Sequence, residues 1–222
     1  LQVGVNYAND YSDGIRGTDA NRVGPLRLVG SGAATADTVK RAAFTAFGVA
    51  AASGLVLVVL AGAWWLLLVG AAAVAAAWFY TGGSHPYGYL GLGELMVFVF
   101  FGLVAVIGTA YVQAGRVVPS AVIGGVAIGA LACAILVANN LRDIPTDAAV
   151  GKRTLAVILG DTRTRAVFVA LVALAYVLVV VLVVAGRPWC ALAFGSLPLA
   201  WQAVRPEVSG ARGRALVAAL RT

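Results

Sequence analysis

Acid is what this sequence has least of: nine Asp and Glu stand against 16 Lys and Arg among 222 residues, and only 11% of positions are charged. So little charge excludes an ordinary soluble domain, which would alternate polar and apolar faces. The two cysteines, Cys133 and Cys190, both lie inside apolar segments. That excludes a disulfide framework and a cysteine metal site, and leaves them as packing residues. The single histidine, His85, stands beside Pro86 in a loop of turn formers, a surface setting. Alternating segments of about ten residues, the mark of a transmembrane β-barrel, are missing as well. No signal peptide or internal repeat is visible. Leu1 is not a start Met, the first apolar stretch is too short to span, and the last residues stop on a helical pattern. The expectation is a single integral-membrane domain over residues 1–222, truncated at both ends.

What is present is apolar: 61% of the residues are hydrophobic. The apolar runs approach 20 residues, the length that crosses a hydrocarbon core about 30 Å thick. The predicted fold class is all-α, a polytopic transmembrane helical bundle, because only helices satisfy their own backbone groups in lipid without closing a barrel. A helix end is expected over residues 1–14 and a polar, basic loop to about 36. Spans follow at 38–61, 64–82, 94–114, 118–141, 164–185 and 188–204, with a basic interfacial tail from 205. Asp37 is expected to cap the first span. Gly125 and Gly129 form a small-xxx-small pair suited to close helix packing.

The basic residues argue against nucleic acid as a partner, because their placement follows the membrane. With the loop at 15–41 cytoplasmic, alternation puts 14 of the Lys and Arg on that side and only Arg116 and Arg187 on the other. Such a bias sets orientation.

The few acids are concentrated. Four of the nine fall in two short segments, Asn6-Tyr7-Ala8-Asn9-Asp10-Tyr11-Ser12-Asp13 and Asn139-Asn140-Leu141-Arg142-Asp143-Ile144-Pro145-Thr146-Asp147. Topology puts both at helix ends on the same basic side. At 100° per residue, Asn6, Asn9, Asp10 and Asp13 fall within an arc of about 100°. Asn139, Asn140 and Asp143 share a face too, but Pro145 threatens the helix beyond them, so Asp147 is expected to reach in from a loop. Carboxylates at about 4 Å would repel by about 4 kcal/mol per pair at an effective dielectric of 20. A hard cation relieves that, and Mg²⁺ pairs one or two carboxylates with phosphate oxygens. Arg16, Arg22, Arg27, Arg142, Lys152 and Arg153 would meet the outer oxygens. An apolar cavity below would take a lipid tail. The inferred substrate is a lipid diphosphate, ionised at its C–O bond with metal-assisted loss of diphosphate. Glu94, at a helix start, fits capping and pocket lining equally.

These stretches resemble the UbiA superfamily of intramembrane aromatic prenyltransferases, and within it the branch that acts on 1,4-dihydroxy-2-naphthoate, the MenA type. The likeness rests on Asn9-Asp10-Tyr11-Ser12-Asp13-Gly14-Ile15-Arg16-Gly17-Thr18-Asp19 with Arg22-Val23-Gly24-Pro25, on Tyr80-Thr81-Gly82-Gly83 through Pro86-Tyr87-Gly88-Tyr89 to Glu94, and on Asn139 to Asp147 with Gly151-Lys152-Arg153-Thr154-Leu155. It implies nine transmembrane helices in the full protein, of which about six would be complete here. It implies a multi-pass protein of the inner (plasma) membrane in contact with membrane lipid, its active site facing the cytoplasm. The donor would be an all-trans-polyprenyl diphosphate and the acceptor 1,4-dihydroxy-2-naphthoate, giving demethylmenaquinol for menaquinone biosynthesis after loss of CO₂. Asp10, Asp13, Asp143 and Asp147 would hold Mg²⁺ and diphosphate, with Asn6, Asn9 and Asn140 assisting. Arg142 and Lys152 would neutralise the leaving diphosphate and Arg16 would meet its outer oxygens. Tyr80, His85 and Tyr87 would line the acceptor side or a cap. Where other members carry Asp four residues after Asp13, this chain has Gly17, so Asp10 or Asp19 would take its place. Another acceptor such as 4-hydroxybenzoate, or a cation-coupled transporter, are the competing readings. Transporters place their ion sites near the midplane on broken helices, whereas these acids sit at helix ends.

Overall fold

In the computed structural model, residues 1–18 and 26–211 are described, together with Leu216. Asp19, Arg22, Gly24, Pro25 and all but one residue of the tail from 212 therefore lie outside the described residues. Every regular element among those described is helical.

Helix α1 (Gln2–Ile15) carries the first Asn/Asp segment and is shifted by one residue from the expected 1–14. A loop leads to α2 (Ala36–Ala61), whose N-cap is Thr35: its hydroxyl accepts from the Thr38 amide, while Asp37 lies in the first turn. Thr35 therefore takes the capping role expected of Asp37, whose charge instead suits the positive end of the helix. Gly62, at φ 63°, ends α2 in the left-handed conformation that glycine adopts without a Cβ clash.

Helix α3 (Leu66–Phe79) has 14 residues, about 21 Å of rise, so it is shorter than the span expected at 64–82. Tyr87–Leu90 forms a 3₁₀ turn. Then α4 (Gly93–Val97), a π-helical segment (Phe98–Val104) and α5 (Ala105–Ala114) run on as one 22-residue span. Helix α6 (Pro119–Ala149) starts on a proline, whose missing amide costs nothing at the first helical position. It runs straight through Pro145, so Asp147 is presented from a helix and not from a loop. Pro145 is exposed, and the Thr146 hydroxyl donates to the Asp143 carbonyl in that turn (2.9 Å).

Short α7 (Leu155–Leu159) leads to α8 (Asp161–Val184). The expected last span is instead a 3₁₀ segment (Pro188–Ser196) followed by α9 (Leu197–Val208). Four helical stretches among the described residues are long and apolar enough to cross a membrane. The chain is a multi-pass helical membrane protein.

Helix α6 is the central post: half of its most apolar stretch is buried, against 17% or less in the other three spans. Small residues make this possible. A Cβ on Gly102 would stand 2.5 Å from Gly129 Cα and 2.7 Å from Gly125 O, so the π segment and α6 meet backbone to backbone. On the other side of α6, Ala134, Val137 and Ala138 pack on Phe168 of α8. Helices α1, α2 and α3 join through Ala8, Ala43, Phe47 and Ala77.

Candidate active site

The two Asn/Asp segments meet. A cavity of about 820 Å³ is lined by Asn6, Asn9 and Asp13 from α1 and by Asn139, Asn140, Asp143 and Asp147 from α6. Segments 133 residues apart, counted from Asn6 to Asn139, thus share one space. Along α6 the lining changes from Ala132, Ile135 and Leu136 to Asn139, Asn140, Asp143, Thr146 and Asp147. Fifteen residues separate Ala132 from Asp147, so the cavity passes from apolar to acidic over about 22 Å. Facing the apolar end are Ala73, Ala76 and Ala77 of α3 and Phe100, Phe101 and Val104 of the π segment. The shape suits a molecule with an ionic head and a hydrocarbon tail.

The carboxylates arrive with partners, and not as the mutually repelling set expected. Asp13 accepts from the Tyr89 hydroxyl at 2.7 Å. Asp143 holds Arg142 through two hydrogen bonds, from Nε at 2.7 Å and Nη2 at 2.6 Å. Asp147 lies 3.7 Å from Lys152 Nζ, which itself lines the cavity.

Three expected residues sit differently. Asp10 turns into the loop after α1, where its carboxylate accepts from the amides of Leu28 and Val29 (2.8 and 2.9 Å). It does not line the cavity, and its role here is to tie that loop to α1. The Arg142 side chain is only 1% exposed and is also absent from the lining; two bonds to Asp143 spend its fork on positioning that acid. His85 is exposed in the loop, bonded to Ser84 (3.0 Å) and away from the cavity. By contrast Tyr80 and Tyr87 line the cavity, their rings edge to face at 5.5 Å. Tyr87 also donates to the Ala76 carbonyl (2.6 Å), and burial pushes its hydroxyl up to about 12. Arg16 donates to the carbonyls of Thr81 and Gly83, bracing α1 against the turn after α3, while Arg27 lines the cavity.

Sequence reasoning missed two residues. Thr81 is buried, lines the cavity and donates to Asn9 Oδ1 (2.8 Å). Tyr89 is a hub: beyond its bond to Asp13, the Arg16 guanidinium lies 5.5 Å and Lys152 Nζ 5.1 Å from its ring, and its carbonyl accepts from the Arg153 amide. Burial and the neighbouring Asp13 charge both push its hydroxyl pKa well above the usual tyrosine range. Only its place in an aromatic, glycine-rich loop hinted at this. Glu94, undecided between two roles, is buried within the first turn of α4 and makes no side-chain cap.

A metal was expected between the clusters. Among the described residues, no three His, Cys, Asp or Glu side chains are grouped closely enough to hold one unaided. The donor chemistry nonetheless fits a hard cation that brings further oxygens with its ligand: Asp13, Asp143 and Asp147 face one cavity with Asn carboxamides and the Thr146 hydroxyl.

The sequence has known relatives along its whole length. Over 221 residues the chain is 58% identical to the 1,4-dihydroxy-2-naphthoate octaprenyltransferase of Mycobacterium tuberculosis, covering all of this chain and 75% of that protein. The Escherichia coli protein of the same name is 42% identical over 171 residues, 74% of this chain and 56% of its own length. The chicken UbiA prenyltransferase domain-containing protein 1 is 29% identical over 90% of this chain and 60% of its own. No solved structure matches significantly. The model of the UbiA prenyltransferase family matches residues 1–215, nearly the whole bundle and both sides of the cavity, and the chain belongs to that family.

Proposed function

We propose that the protein transfers a polyprenyl group from an all-trans-polyprenyl diphosphate to 1,4-dihydroxy-2-naphthoate, with release of diphosphate and CO₂. The observation that carries this reading is the single cavity that is acidic at one end of α6 and apolar at the other. The names of the relatives at 58% and 42% identity supply the acceptor.

The apolar end takes the prenyl chain against Phe100, Phe101 and Val104. At the other end Lys152 and Arg27 line the cavity where they would meet the diphosphate oxygens, and Asp13, Asp143 and Asp147 would hold its counter-cation. Mg²⁺ bound there would neutralise the diphosphate and make it a better leaving group. The prenyl C–O bond breaks with its electron pair going to diphosphate. A ring carbon of the acceptor then bonds to the allylic carbon, and the carboxylate leaves as CO₂. Tyr80 and Tyr87 present aromatic faces that favour a nearby cation. The apolar wall keeps out the water that would otherwise trap that cation. The side of the membrane on which this happens is, by the basic bias, the cytoplasmic one.

The test is product formation by the purified protein in nanodiscs, read by mass spectrometry with Mg²⁺ and with chelator. A decarboxylated prenyl naphthol is expected with Mg²⁺ alone. Asp143→Ala should lower turnover by at least about a hundredfold while the protein stays folded. Product with another aromatic acceptor only would move the acceptor; cation-driven uptake without any product would favour a transporter.

A further inference from the structure

One buried acid has no part in this scheme. Glu94 lies in a membrane-spanning stretch, is 8% exposed, and does not line the cavity. Its Oε1 accepts from Asn140 Nδ2 at 2.9 Å, and its Oε2 is buried without a hydrogen-bond partner. Its backbone is held too: the Glu94 carbonyl accepts from Cys133 Sγ on α6 (3.0 Å). A carboxyl with an orphaned oxygen in a lipid-facing helix costs stability, so its use must lie in the bond it does make.

That bond fixes the Asn140 carboxamide. One N–H of the carboxamide goes to Glu94, which does not line the cavity, so the Nδ2 end is turned toward α4 and the Oδ1 end is the one turned to the cavity that Asn140 lines. A carboxamide oxygen accepts hydrogen bonds and repels phosphate oxygens, so the end turned to the cavity suits a hydroxyl better than the diphosphate. Asn140 also stands at the apolar edge of the acidic zone, next to Leu136 and on the cavity with Tyr80. We propose that Glu94 is a positioning residue that orients Asn140 Oδ1 to accept a hydrogen bond from a hydroxyl of the aromatic acceptor. Glu94 thereby selects hydroxylated rings. The inference rests on the prenyltransferase reading above.

The experiment measures naphthoate binding calorimetrically in nanodiscs without prenyl diphosphate, followed by kcat and KM for each substrate. Glu94→Met, which keeps the length but removes the acceptor, should weaken naphthoate binding about tenfold, one lost hydrogen bond. The KM for prenyl diphosphate and the Mg²⁺ midpoint should stay within about twofold, a split expected when one substrate's contact is lost. Glu94→Gln, which can still accept from Asn140, should restore binding to within about twofold of the parent. In Glu94→Met/Asn140→Ala the loss should equal that of Asn140→Ala alone, since the two act as one unit.

Unchanged naphthoate affinity in Glu94→Met, additive losses in the double variant, or a shift in the Mg²⁺ midpoint instead would each overturn the proposal. If Glu94→Met does not fold, a tenfold loss in Glu94→Gln overturns it. Absence of naphthoate binding and turnover in the unaltered protein would overturn the functional reading itself, a separate result.

Discussion

Tyr89 shows how a residue can matter without any signature. Its hydroxyl holds Asp13, and its ring lies near two cations, Arg16 and Lys152, that are distant from each other in the sequence. Tyr89→Phe keeps the ring and removes one bond to a carboxylate, which should lower kcat/KM about tenfold with little change in melting temperature. The raised pKa gives a second readout. Ionising this hydroxyl would bury a negative charge beside Asp13, so the folded value lies above the ordinary 10.0. The stability it contributes is complete below pH 10 and is lost as pH rises through the folded value. In an ultraviolet titration, the tyrosinate step that Tyr89→Phe removes should lie above pH 10; a step at or below 10 would contradict the described environment. At this scale the sequence was legible where spacing decides. Asn6, Asn9, Asp13, Asn140 and Asp143 reach the cavity because helical periodicity aims them together. Asp10 obeys the same periodicity but is claimed by the amides of Leu28 and Val29, and Arg142 by the side chain next to it. Such pairings arise only once the chain has folded.

At the scale of elements, hydropathy located the four long spans but could not describe how each is built. Of the other two expected, 64–82 is a shorter helix and 188–204 a 3₁₀ segment followed by α9. The π-helical segment Phe98–Val104 has no composition that sets it apart, yet it brings Phe100, Phe101 and Val104 to the cavity while Gly102 meets α6. The wider turn shifts the register of side chains, a frequent device near functional sites. The glycine contact can be tested directly. Gly102→Ala would press a methyl group on the backbone of α6, which cannot rotate away, and should destabilise the bundle by about 1–3 kcal/mol. Gly108→Ala, with nothing within 4 Å of the added carbon, serves as the comparison and should leave the melting temperature in detergent unchanged. Equal behaviour of the two variants would refute the close approach. Pro145 carries the opposite lesson. Its local preference predicted a helix end, but α6 continues to Ala149, since the cost of one missing amide is smaller than what packing of the whole helix contributes.

For the whole molecule, the expected orientation rests on charge bias, which acts through the number and side of Lys and Arg and needs no packing detail. It predicts which face each loop occupies. In a protein freed of Cys133 and Cys190, a cysteine at the exposed position of Trp189 should react on intact cells with a membrane-impermeant maleimide. One at Ser31 should react only after permeabilisation. The reverse pattern would invert the site. A last consequence follows from α6, which lines both the acidic and the apolar ends of the cavity. Because one rigid rod carries Leu136, Asn140 and Asp147, an insertion or deletion within it would turn the acids away as it altered the tail region, so this wall is closed to gradual change. The facing wall of α3 and the π segment contributes no carboxylate to the cavity lining. Evolution is therefore free to lengthen or shorten the accepted chain on that side alone, which makes tail length an adjustable trait and headgroup chemistry an inherited one.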